Sequence, residues 1–155
     1  MRRDDLAGRS NSELVGTALG LNGEEHEYWH AVAELQRRRT PDVMAVATSL
    51  TASPDARSRQ LGLDIMGQLG YEEGRPFLEQ VLPVALVLAN DPDPSVRHSA
   101  ISTLGHQWDV RALPAVLEQV KDPDPDVRWA AATAIPSLVS SPPEPAAVEA
   151  LIALT

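Results

Sequence analysis

Two stretches of this chain are near-copies of each other. Residues 82–105, LPVALVLANDPDPSVRHSAISTLG, lie over residues 113–136, LPAVLEQVKDPDPDVRWAAATAIP, at an offset of 31. A period of that length marks a fold made by stacking one supersecondary unit on the next, which restricts architecture more than any local propensity. A third copy, MAVATSLTASPDARSRQLGLDIMG (44–67), is weaker, and a fourth, GEEHEYWHAVAELQ (23–36), weaker still.

One position fixes the register. It holds Tyr28, Arg59, Arg97 and Arg128, spaced 31, 38 and 31; the 38 is one repeat plus seven residues inserted near YEEGRPF (71–77). Three residues past this anchor stand Ala31, Gly62, Ala100 and Ala131, all small. Four past stand Val32, Leu63, Ile101 and Ala132, and seven past stand Leu35, Met66, Leu104 and Ile135. Offsets of three, four and seven trace one face of a helix. The small column lets a neighbouring helix come close, and the larger columns fill the layer so formed.

The pattern predicts second helices near 24–38, 56–69, 94–107 and 125–138, and first helices near 11–20, 41–51, 76–90, 111–121 and 144–154. The separating turns are DPDP at 91–94 and 122–125 and SPD at 53–55. Proline is tolerated in a first helical turn, and aspartate there caps exposed amides. Asp55, Asp93 and Asp124 each precede Arg59, Arg97 and Arg128 by four residues. That spacing allows either an ion pair along one helix face or a bond from the arginine back to a turn. Recurrence in three of the four copies assigns this ladder to the scaffold. Pro136 is expected to kink or end the last second helix, and SSPPEP (140–145) reads as a stiff connector.

At DPDxxVRxxA and the L-G that follows, the chain resembles HEAT-like repeats of the phycobilisome-lyase type. The resemblance covers about 22–154 and is strong across 82–139. It implies an all-α fold: a right-handed α-α superhelix of armadillo type, a HEAT-like α-solenoid with four helix pairs and a terminal half-repeat. One domain, 1–155, would hold repeats at about 10–40, 41–70, 76–108 and 110–139, with the half-repeat at 144–155. The first copy departs most, with Tyr28 for the anchor arginine and Glu24 at the turn aspartate, as befits a capping repeat. The half-repeat, EPAAVEALIALT, would leave an apolar face open for a continuation, a partner or a second copy.

Composition narrows the chemistry. There is no cysteine among the 155 residues, which removes disulfides and thiolate chemistry and fits a cytoplasmic protein. No secretory h-region or membrane-length apolar run is visible. Net charge is −9, and residues beyond 40 carry −8 of it, so no cationic stripe for nucleic acid emerges.

HEYWH (26–30) matches H-E-x-x-H, which on a helix would set His26 and His30 on one face for zinc with Glu27 as base. No third ligand follows at the extended spacing, so the histidines are read as surface residues and no metal, cofactor or catalytic residue is assigned. RRR (37–39) reads as a cationic helix end.

The varying columns carry the binding hypothesis. One past the anchor lie Trp29, Gln60, His98 and Trp129; five past lie Ala33, Asp64, Ser102 and Thr133. Both columns point away from the core face. Second helices line the concave side in HEAT-like solenoids, so the resemblance makes Trp29, Gln60, Asp64, His98, Ser102, Trp129 and Thr133 the candidate partner-binding residues. Trp108, eleven past its anchor, falls on the core side by the same count.

The leading expectation is a non-catalytic protein-interaction scaffold with a basic or mixed-charge protein partner, not a membrane or nucleic acid. Self-association through the half-repeat is a further option. A lyase-like, chromophore- or ligand-handling subunit is the second expectation, implied by the resemblance alone. A DNA-binding helical-repeat protein is the third, and the charge balance opposes it.

Overall fold

The computed structural model describes residues 4–20, 25–69 and 74–139. Every regular element among them is helical, in stacked antiparallel pairs. The half-repeat at 144–155, the connector at 140–145 and residues 71–73 of the 71–77 insertion lie outside the described residues. Packing divides the chain into two compact units, Met1–Phe77 and Leu78–Thr155.

The first unit holds α1 (Asp4–Ala7), α2 (Asn11–Leu19), α3 (Glu25–Arg38), α4 (Pro41–Thr51) and α5 (Ala56–Gln68). Helix α2 pairs with α3 and α4 with α5, while α3 stacks on α5. Caps set the helix starts. Ser10 and Glu13 form a reciprocal capping box, and Thr40 caps α4 immediately before Pro41. Gly62 is required where α5 crosses α4: a Cβ there would stand 2.7 Å from the Ala47 carbonyl oxygen. The small column exists for this approach.

The second unit holds α6 (Leu78–Leu88), α7 (Pro94–Gln107), α8 (Leu113–Glu118) and α9 (Pro125–Val139). Helix α6 pairs with α7, α8 with α9, and α7 stacks on α9. The first helix expected at 111–121 is broken into a 3-10 turn (Val110–Ala112), α8 and a second 3-10 turn (Gln119–Lys121). Pro114 has no N–H to give the Val110 carbonyl, and Leu113 bonds it instead, one residue early. Pro136 does not end α9, which runs on to Val139. The carbonyl it leaves without a helical donor is that of Ala132, an exposed residue that water can reach.

The core columns land as expected in three copies. Ala31, Val32, Leu35, Leu63, Met66, Ala100, Ile101 and Leu104 are all buried, and Gly62 with them. In the fourth copy Ala131 is buried, but Ala132 is exposed and Ile135 only half-buried. No described element follows α9 to cover that side.

Candidate functional site

The anchor arginines hold their own turns. Arg59 Nη1 donates to the Ser53 and Pro54 carbonyls at 3.1 and 2.9 Å, Arg97 Nη1 to Asp91 and Pro92 at 3.0 and 3.2 Å, and Arg128 Nη1 to Asp122 and Pro123 at 2.8 and 3.0 Å. The aspartates four residues earlier accept from backbone N–H groups of the first helical turn: Asp55 from Ser58, Asp93 from Ser95, Asp124 from Asp126 and Val127. Of the two arrangements the spacing allowed, the arginine-to-turn bond is the one made. The aspartate is thereby left to cap the helix.

Arg97 does more. Its Nε and Nη2 donate to the two carboxylate oxygens of Asp122 at 2.8 and 3.0 Å, joining one repeat's helix to the next repeat's turn. Asp122 also accepts from the Asp124 N–H. The Arg97 guanidinium, helped by that N–H, holds the Asp122 carboxyl below the usual carboxylate range against the cost of burial. A bidentate pair this enclosed, with side chains 14% and 3% exposed, adds direction as well as energy.

The first copy solves the anchor differently. Tyr28 is buried, its hydroxyl donates to Asp64, and Arg57 lies over its ring at 5.5 Å. Burial, reinforced by the Asp64 charge, pushes the Tyr28 hydroxyl well above the ordinary phenol range. The Asp64 carbonyl accepts from Gln36 Nε2 at 2.8 Å. Asp64 is therefore half-buried and tied to the scaffold. Arg38, within the RRR run, donates to Asn11 Oδ1, to the Arg9 carbonyl and to Glu34. Arg38 thus fastens the chain's first turns, while Arg37 pairs with Glu34 along its own helix.

Trp29 on α3 and Trp129 on α9 are 48% and 66% exposed. Trp29 meets the Tyr28 ring edge-on at 5.1 Å and lines an open hollow with Glu25, His26 and His30. His26 and His30 stand edge-to-face, ring centroids 5.8 Å apart. No group of three or more metal-ligating side chains occurs among the described residues. Gln60, His98 and Ser102 are half-buried; Thr133 is exposed and returns its hydroxyl to the Ala130 carbonyl at 2.9 Å. Trp29, Gln60 and Asp64 belong to the first unit, and His98, Ser102, Trp129 and Thr133 to the second.

Trp108 is not a core residue: it is 49% exposed and left-handed, φ 53°. It closes α7, so the helical count that placed it on the core side had already run out. Sequence reasoning also missed the cluster in which Arg111 binds both Asp109 and Glu79, at 2.8 and 2.7 Å. The two carboxylates stand 30 residues apart in sequence, with no periodicity to reveal them.

Among the described residues no helix is long and apolar enough to cross a membrane. No curated protein matches the chain. The family model for HEAT repeats matches residues 82–155, so the chain carries a HEAT-repeat region over that part of its length.

Proposed function

We propose that this chain is a non-catalytic protein-interaction module, working in the cytoplasm, in which rigid paired helices present varied side chains to a protein partner. The observation that carries this reading is the exposure of Trp29 and Trp129 on second helices whose opposite faces are locked in the core. A large aromatic held on a rigid helix loses little entropy on contact and supplies much apolar area, which is why tryptophan concentrates at binding hot spots. His98 and Ser102 on α7 and Thr133 on α9 are the polar residues offered for selectivity, as Gln60 is in the first unit. The net charge of −9 selects for a basic or mixed-charge partner and for association that weakens with salt. The finer likeness to repeats of phycobilisome-lyase type rests on the DPDxxVRxxA motif alone.

The test is capture from the native host by the full chain, in parallel with Trp29→Ala and Trp129→Ala. The expected result is a protein retained by the wild type and lost from one or both variants, with helical circular dichroism unchanged. Variants that retain the same protein at wild-type yield would overturn the reading.

A further inference from the structure

Helix α3 carries histidine at two positions where the later second helices have none. His26 and His30 stand about one turn apart on the exposed side of α3, separated by a rise of about 6 Å. The position of His30 holds Leu61, Ser99 and Ala130 in the later copies, each of them buried. The position of His26 holds Arg57, Ser95 and Asp126. The repeat therefore requires histidine at neither place, and only in α3 is the otherwise buried column turned out to solvent.

The two rings meet edge-to-face, centroids 5.8 Å apart, beside a hollow that Glu25 and Trp29 also line. Two imidazoles bonded to one metal ion at about 2.0–2.1 Å each have centroids about 5 Å apart, so a small rotation of either side chain closes the pair on an ion. The helix beneath them is fixed, because Tyr28 is buried and bonded to Asp64. Each ring has two nitrogens, and coordination through one leaves the other to keep a hydrogen bond, as metal-bound histidines do. No group of three ligating side chains forms among the described residues, so the remaining positions on the ion fall to water. Glu25 lies one residue before His26 and about 100° around the helix, so it adds negative field rather than a bond.

That ligand count discriminates between metals. Structural zinc takes four protein ligands and catalytic zinc three. Copper(II) accepts a square arrangement with imidazole nitrogen at two neighbouring corners, and it heads the order of affinity at a given nitrogen site. We propose that His26 and His30 bind one divalent late transition metal ion as a cis pair, copper(II) in preference to nickel(II) and zinc(II). The HEYWH run lacks the third ligand of a catalytic zinc site, but its two histidines suffice for this one. The site needs no protein partner, so it stands or falls separately from the interaction reading.

The probe is copper(II) chloride titrated onto the full-length chain, prepared without a histidine tag, with calorimetry and tryptophan fluorescence read together. Saturation at one ion per chain in the micromolar range is expected, with quenching of Trp29, since a paramagnetic ion quenches an indole beside it. Trp29→Phe should remove most of the quenching and leave the affinity within about twofold. His26→Gln and His30→Gln should each weaken binding by at least about tenfold, and His98→Gln by less than about twofold. Should either of the first two lose helicity, a trace of copper(II) on the wild type decides instead: it should broaden the imidazole resonances of His26 and His30 and spare those of His98 and His106. An adventitious ion only, seen as half-saturation in the millimolar range, would overturn the proposal. So would wild-type affinity in His30→Gln, broadening confined to His98 or His106, or quenching that survives Trp29→Phe undiminished.

Discussion

Helices α7 and α9 hold the same place in consecutive repeats and begin from the same DPDP turn, yet their outer faces differ. On α7 an arginine, an isoleucine, a leucine and a glycine are covered, and the arginine is neutralised by the next turn. On α9 the matching arginine, alanine and proline are exposed, and the isoleucine is half-buried. The difference shows that the repeat motif does two separable jobs. Arginine to its own turn closes the turn, and both helices do this. Arginine to the next aspartate joins repeats, and only α7 does this among the described residues of the second unit.

That separation is open to direct test. Arg97→Gln removes both jobs and strands a buried carboxylate, so it should cost about 3–4 kcal/mol. Arg128→Gln removes only the turn closure and should cost about 1 kcal/mol. Urea denaturation of the two variants compares them; equal losses would mean that the joint between repeats contributes nothing beyond the turn. The apolar half of the face behaves likewise. Ile101→Ala, at a fully buried position, should cost about 3 kcal/mol. Ala132→Ile, which restores the α7 residue on the exposed face, should stay within about 0.5 kcal/mol of wild type.

The joint also carries a pH signature. Asp122 is ionised more readily in the folded chain than in the unfolded one, chiefly through the Arg97 hydrogen bonds. Its contribution is therefore complete above the unfolded carboxylate pKa, about 4. It is lost as pH falls through the lower folded value, because the unfolded chain takes up the proton first. Asp122→Asn should cost about 2 kcal/mol at pH 7, and its gap from wild type should close as pH drops below about 4. A gap that held constant from pH 7 to pH 3 would show that the charge on Asp122 is not what joins the repeats. Comparing against this variant cancels other carboxylates, such as Glu34, that titrate in the same window.

Much of this architecture could be read from the residues, because repeats make each position its own control. Four anchors with small, medium and large residues at fixed offsets located the second helices to within a residue or two, and DPDP marked where two of them start. What escaped detection was non-periodic. Trp108 was misplaced because an offset of eleven has meaning only while the helix continues, and α7 ends at Gln107. The Tyr28–Asp64 bond joins an atypical anchor to a residue 36 positions away. Trp29 and Trp129 are exposed, as their outward columns lead one to expect, whereas Asp64 stands in an outward column and is nonetheless tied to Tyr28. Ala132 and Ile135 were read as core because the column says so; a column cannot say whether a following layer is present.

Trp108 gives the smallest test and bears on how the two helices end. Its counterpart 31 residues on, Val139, is the last residue of α9, whereas Trp108 has already turned left-handed past the end of α7. That conformation suits glycine at a helix end and costs a side chain with a Cβ about 1–2 kcal/mol. Trp108→Gly and Trp108→Ala remove the indole equally, so the difference between them isolates the backbone. Glycine should be the more stable of the two by about 1 kcal/mol, read from thermal or urea midpoints. If alanine equalled glycine, the left-handed turn would depend on the indole itself, and removing it would have released the chain to another path. If glycine wins as expected, the turn is imposed by Asp109, which caps the following 3-10 turn through the Arg111 N–H at 2.9 Å. A half-exposed tryptophan at such a position would then persist for what its ring contacts rather than for the backbone it strains.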